Sequence, residues 1–271
     1  TDGLCGSRIH LRFPSVGATE NVILAAVYAR GRTRIENCAK EPEIAELCRF
    51  LREKGAKIEG EGTSCILVEG VSHLRDSTYM LMPDRIVAGT YLFAAAATRG
   101  EICLEGMRPS DMESVLDVLG RMGAVYENRE DGFYLDGRKA INPLPVVCTE
   151  TYPGFPTDLQ SLYLAAAMTL EGKSCICENV FEDRLRTAEE LQKMGGTLQI
   201  CGKWLTAEKS RLHGAEVVSQ DLRGGAALVS AALAAEGFST IRQTELIERG
   251  YERFPETLRE LGAKIIVEKE I

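Results

Sequence analysis

The chain has 271 residues, of which 45% are hydrophobic and 27% charged, with a formal net charge of −8. That length suits about two domains with a sizeable core, and the acidic balance argues against nucleic acid or an anionic membrane as the main partner. No uninterrupted apolar span is long enough for a membrane helix, and no signal peptide is visible, so a cytoplasmic protein is expected. The nine cysteines show no metal-type pairing and are expected as reduced thiols, with Cys175 and Cys177 on one face of a buried strand.

From the N-terminus, Pro14, Ser15, Val16 and Gly17 lead into an apolar run over residues 22–27 that closes at Gly31. A strand over residues 33–36 follows. Ile44, Leu47, Cys48 and Leu51 then mark a one-sided helix, since they fall at i, i+3, i+4 and i+7. Gly55 and a strand at residues 66–68 complete the pattern. Residues 70–82 are polar and helix-poor, with His73, Arg75 and Asp76, and place a domain boundary near residue 80.

The pattern then restarts. Residues 92–97 are apolar, Gly100 and a strand at 101–104 follow, and Met112, Val115, Leu116 and Leu119 repeat the helical stripe before Gly123. The third copy has Gly172, a strand at 174–177 and Gly195. The fourth has an Ala-rich run over 226–235, Gly237, a strand at 239–242, Gly262 and a strand at 265–267. The first glycines, Gly31, Gly100, Gly172 and Gly237, are nearly evenly spaced. Each is followed at an almost constant interval by its second, Gly55, Gly123, Gly195 or Gly262. So regular a period means one supersecondary unit used repeatedly. The first helix of each copy is apolar nearly all round and is predicted buried, while the second has one polar face. The fold class is therefore α/β, built from βαβαββ-like units with helix inside and sheet outside. Residues 1–80 hold one unit and residues 81–271 hold three. A lone unit is a poor candidate for independent stability, so a further segment or self-association across the first unit is expected to complete it.

Equivalent loops of such units converge on one face. Ser15, Asp84, Asp158 and Asp221 precede Gly31, Gly100, Gly172 and Gly237 at matching intervals, with Asp158 standing slightly closer to its glycine than the others. Helix N-capping accounts for most such residues. Capping does not require Arg223, a cation at the positive end of a helix dipole, and such a helix start is a ready site for an anion. Arg184 follows Gly172 at the same interval as Arg249 follows Gly237, and both are expected to approach the same place. Three guanidinium groups in corresponding loops suit a small polyanionic substrate. His10, His73 and His213 are isolated, so no metal site is expected, and there is no P-loop or dinucleotide fingerprint.

Seven segments in order carry a resemblance: residues 14–21 (Pro14, Ser15, Val16, Gly17 onward), 41–44, 83–86, 152–158 (Tyr152 to Asp158), 180–182, Asp221-Leu222-Arg223, and 249–253 from Arg249. Together they resemble the enolpyruvyl transferases, and among these the UDP-N-acetylglucosamine 1-carboxyvinyltransferases of peptidoglycan synthesis. The resemblance implies an inside-out α/β barrel fold of two domains closing on substrate, six βαβαββ units in all, of which four are present here. It implies phosphoenolpyruvate and UDP-N-acetylglucosamine as substrates, with no metal or organic cofactor. By position, Ser15, Val16 and Gly17 match the segment holding the uridine nucleotide, and Val180 matches a contact to the nucleotide sugar. Asp158 matches the carboxylate at the sugar 3-hydroxyl. Arg223 and Arg249 match cations gripping phosphoenolpyruvate, and Glu182, Arg184 and Asp221 line the same cleft. The family's first third, with its reactive Cys loop, has no counterpart in this sequence. The chain is therefore expected to hold part of an active site and to be inactive alone. The related 3-phosphoshikimate 1-carboxyvinyltransferases are a weaker match, and a non-catalytic nucleotide-sugar or anion-binding module is the alternative from another class.

Overall fold

The structure is a computed structural model and describes residues 3–268. It divides into two compact units, residues Thr1–Pro83 with Thr151–Gly154, and Asp84–Glu150 with Phe155–Ile271. The first unit runs β1 (Arg8–His10), α1 (Val16–Ala26), β2 (Arg32–Glu36), α2 (Pro42–Glu53), β3 (Lys57–Glu59) and β4 (Cys65–Glu69). Its sheet has the order β1-β2-β4-β3, with β1 parallel to β2 and the remaining pairs antiparallel. Ser15 caps α1 through its hydroxyl, which accepts from the Ala18 N–H at 3.3 Å. Pro42 starts α2, where its missing N–H costs nothing.

The second unit opens with α3 (Arg85–Ala97), β5 (Glu101–Leu104), α4 (Glu113–Arg121), β6 (Val125–Arg129) and β7 (Gly132–Asp136). A complete copy follows, β8 (Val146–Cys148), α5 (Gln160–Ala167), β9 (Lys173–Cys177), α6 (Thr187–Lys193), β10 (Thr197–Cys201) and β11 (Trp204–Glu208). The last copy has β12 (Glu216–Val218), α7 (Leu222–Ala234), β13 (Thr240–Arg242), α8 (Glu245–Glu248) and α9 (Phe254–Glu260). The sheet β10-β11-β9-β8 repeats the pairing pattern of the first unit's sheet. The copies on either side are shorter, a three-stranded sheet β5-β7-β6 and a parallel pair β12-β13.

The repeat glycines have a structural cause. Gly55, Gly123, Gly195 and Gly262 all have positive φ and end α2, α4, α6 and α9. In each case the N–H that follows bonds back across the last turn, as Ala124 does to the Leu119 carbonyl at 3.0 Å. At Gly123 a side chain is doubly excluded, because φ is +100° and a Cβ would fall 2.7 Å from the Lys139 carbonyl oxygen.

The inner helices behave differently in the two units. Every residue of α5 is buried, as are most of α3 and α7, and these three helices pack on one another with the sheets outside them. Phe93, Phe155 and Tyr163 meet edge to face at 6.0–6.1 Å in this core. In contrast, α1 buries only Thr19, Ile23 and Ala26, although its composition predicts burial all round. Leu24 is 49% and Tyr28 57% exposed. Within its own unit α1 packs on α2, β2 and β4, and among the described residues no other helix of that unit packs extensively on its remaining apolar side. A second departure is at residues 265–267, predicted as a strand. They form none, and Ile266 is 83% exposed, since no strand among the described residues pairs with the β12-β13 sheet on that side.

Tyr163 ties the inner layer to the sheet. Its fully buried hydroxyl accepts from the Leu144 N–H at 3.1 Å and lies 2.8 Å from Ser174 Oγ. Burial pushes its phenol up to about 12. Tyr163→Phe strands both partners and should lower unfolding free energy by about 1–3 kcal/mol in a urea titration. An unchanged midpoint would show that the hydroxyl is dispensable there.

Candidate active site

Three elements of the second unit bring charge to the start of its inner helices. Asp221 caps α7, its Oδ1 accepting from the Arg223 and Gly224 N–H groups at 2.8 and 2.9 Å. Asp84 caps α3 in the same way, accepting from Ile86 and Val87. Asp158, expected to be equivalent, caps nothing. It sits in a single turn of 3-10 helix, Thr157–Leu159, that precedes α5. Its carboxylate instead accepts from Arg184 Nη2 at 2.6 Å, with Arg223 Nε at 3.9 Å from the same oxygen.

Arg184 comes from the turn Glu182–Arg186 that follows β9. Its side chain is only 9% exposed, and its Nη1 also lies 3.5 Å from Asp221 Oδ1. The guanidinium stacks over the Phe181 ring at 4.7 Å. Arg223 is nearly as deep, at 13% exposed, and rests over the Tyr251 ring at 5.4 Å. Tyr251 is itself buried and lies 2.8 Å from Thr90 Oγ1 of α3. Burial raises its phenol above the usual range, and Arg223 pulls the other way.

Two polar atoms in this cluster are buried without a hydrogen-bond partner, Arg223 Nη1 and Thr187 Oγ1. Gly224 makes room for the latter, since a Cβ there would fall 2.2 Å from Thr187 Oγ1. A buried charged donor left unbonded is costly. With the Arg184 guanidinium beside it, the chemistry offered is that of an anion cradle.

The other predicted residues are placed as follows. Arg249 is exposed at the end of α8, two residues before Tyr251. Val180 is half-buried and donates its N–H to Glu178. Glu182 opens its turn, and its side chain lies outside the described residues. Ser15, Val16 and Gly17 belong to the first unit, at the start of α1, where nothing stands within 4 Å of the position a Gly17 Cβ would take. Phe181 and Tyr251 lie in segments that carry the resemblance but have no role expected of them, and for Thr187 and Glu178 only the tertiary contacts distinguish them from ordinary loop or helix-start residues.

The contrast between Asp84 and Asp158 can be measured. Asp84→Ala should lose about 1 kcal/mol of unfolding free energy, and Asp84→Ser should recover most of it, because a hydroxyl also caps. At Asp158, Ala and Ser should behave alike in urea midpoints. A clear rescue by Ser at Asp158 would mean that it caps after all.

Residues 2–258 match the family described as EPSP synthase (3-phosphoshikimate 1-carboxyvinyltransferase). The chain is 43% identical over 262 residues to UDP-N-acetylglucosamine 1-carboxyvinyltransferase 2 of Caldanaerobacter subterraneus subsp. tengcongensis, covering 96% of this chain. It is 44% identical over 266 residues to UDP-N-acetylglucosamine 1-carboxyvinyltransferase of Corynebacterium jeikeium, covering 97%. It spans 63% of the length of each of these relatives. Among solved structures, the enolpyruvyl transferase NikO from Streptomyces tendae superposes with a TM-score of 0.87 at 26% identity, covering 97% of this chain and 66% of that one. EPSP synthase from Acinetobacter baumannii shares the fold, with a TM-score of 0.74 at 23% identity, over 98% of this chain and 64% of its own.

Proposed function

This chain belongs to the EPSP synthase family of enolpyruvyl transferases, and we propose that it carries part of the active site of a carboxyvinyl transfer from phosphoenolpyruvate to the 3-hydroxyl of UDP-N-acetylglucosamine. The observation that carries this reading is the buried, unpartnered Nη1 of Arg223, set beside Arg184 at the start of α7. A phosphoryl group satisfies that donor beside the Arg184 guanidinium. The acceptor is chosen on identity. Relatives at 43–44% are named for UDP-N-acetylglucosamine, whereas the EPSP synthase structure stands at 23%.

In the proposed reaction the sugar hydroxyl oxygen bonds to C2 of phosphoenolpyruvate while C3 gains a proton. The tetrahedral adduct then loses a C3 proton and breaks its C2–O(phosphate) bond, giving the enolpyruvyl ether and inorganic phosphate. Arg223 holds the phosphoenolpyruvate and Arg184 completes the cradle, Asp221 pairs with Arg184 and caps α7 beside it, and the exposed Arg249 is assigned to the same substrate by the resemblance alone. Charge grows on the departing phosphate, and fixed guanidinium donors stabilise it without reorganising. Asp158, with its side chain 39% exposed, is reachable by the acceptor hydroxyl and takes up or orients its proton. By the resemblance, Ser15, Val16 and Gly17 are assigned to the uridine nucleotide, Val180 to the sugar and Glu182 to the substrate cleft. The reaction belongs to cytoplasmic peptidoglycan precursor synthesis.

The test is phosphate release from phosphoenolpyruvate by the whole protein that carries this chain, with each acceptor in turn. Release should require UDP-N-acetylglucosamine and not occur with 3-phosphoshikimate. Arg223→Ala and Arg249→Ala should each weaken transition-state stabilisation by about 2–4 kcal/mol. The reverse acceptor preference, or activity within a factor of about two after either substitution, where losing such a donor should cost far more, would refute the assignment. Phosphoenolpyruvate binding with no turnover on either acceptor would leave only an anion-binding module.

A further inference from the structure

Glu178 takes no part in the cradle, yet its carboxylate is one of the most heavily bonded groups in the second unit. It is 5% exposed and stands one residue past β9. Its Oε1 accepts from Thr149 Oγ1 at 2.7 Å and from the Val180 and Phe181 N–H groups, both at 2.9 Å. Its Oε2 accepts from Thr157 Oγ1 at 3.0 Å. Four donors from three chain segments thus meet one buried carboxylate.

Two of those bonds lead to Arg184 by separate routes. The Phe181 N–H fixes the backbone of the residue whose ring lies under the Arg184 guanidinium. The Thr157 hydroxyl, with its proton committed to Glu178, turns its lone pairs outward, and Arg184 Nε approaches that oxygen at 3.5 Å. Nη2, on the same edge of the guanidinium, is then aimed at Asp158. Thr157 also adjoins Asp158 in sequence, so the same bond steadies both members of the ion pair. We infer that Glu178 is a positioning residue that sets the pose of the Arg184 guanidinium, through Thr157 on one side and the Phe181 ring on the other.

Charge and geometry can be separated here. In Glu178→Gln the amide oxygen can still accept from Val180 and Phe181, and the amide nitrogen can donate to Thr157 Oγ1, which keeps a lone pair for Arg184. In Glu178→Ala both routes are lost. The inference rests on the anion-cradle reading, so the test needs one readout that does not depend on ligand. In the whole protein that carries this chain, the Arg184 Nε–Hε resonance, identified by its loss in Arg184→Lys, should be shifted upfield by the Phe181 ring. Glu178→Ala should abolish that shift and weaken phosphoenolpyruvate binding by about tenfold, the scale of losing support for a charged hydrogen bond. Glu178→Gln should restore the shift and most of the affinity. Thr157→Val, which leaves the carboxylate in place but strands its Oε2, should move the resonance and lower the melting temperature. If Glu178→Ala lowers the melting temperature but leaves the resonance and the affinity where they were, or if Thr157→Val leaves the resonance in place, Glu178 is only a brace and the inference fails. Should the unmodified whole protein that carries this chain bind no phosphoenolpyruvate, the functional reading falls, while the resonance still decides the role of Glu178.

Discussion

Two guanidinium groups held within 4 Å of one carboxylate oxygen, and largely out of water, constrain everything around them. Buried cations are tolerable only when paired and fully bonded. Asp158 and Asp221 supply the pairing for Arg184, while Phe181 and Tyr251 supply polarisable faces beneath the two arginines. One donor of Arg223 is still left over. The inner helices make this arrangement possible, because α5 and α7 pack so tightly that their starts, and the charges on them, have fixed relative places. Small residues at the start of α7 serve the same end. At Gly225 a Cβ would collide with Ser219 Oγ and the Ile247 side chain, so the segment carrying α8 can approach closely.

Much of the fold was legible because left-handed helix ends recur at regular intervals. Glycine is almost obligatory there, so Gly55, Gly123, Gly195 and Gly262 mark the units independently of any motif. The burial of α5 was likewise readable from its lack of a polar face. The same reasoning failed for α1, since composition reports what a helix could bury and not whether a neighbour is present to cover it. The strand predicted at residues 265–267 failed for a related reason. β-propensity describes a residue's fit to a pleated surface, and without a pairing edge it produces no strand.

The site was partly legible. Arg184 and Arg223 were singled out by their places in the repeat, and they do share Asp158. Asp158 itself carried a clue, because it stands closer to Gly172 than Asp84 does to Gly100 or Asp221 to Gly237. That difference reflects the 3-10 turn inserted ahead of α5, which moves the carboxylate from capping to ion pairing. Arg249 shares the repeat register of Arg184, but the end of α8 leaves it exposed rather than in the buried cluster. Glu178 offered no signal of any kind. A carboxylate just past a strand is common, and only the four converging donors show that this one is a node.

The central claim is that the leftover donor of Arg223 exists to meet a phosphoryl group. A crystal structure of the whole protein that carries this chain, soaked in phosphoenolpyruvate, tests this most directly. The account predicts phosphoryl oxygen density within hydrogen-bonding reach of Arg223 Nη1, at the start of α7 and beside Arg184. Arg223 Nη1 bonded to a protein acceptor, with the ligand bound elsewhere or nowhere, would contradict it.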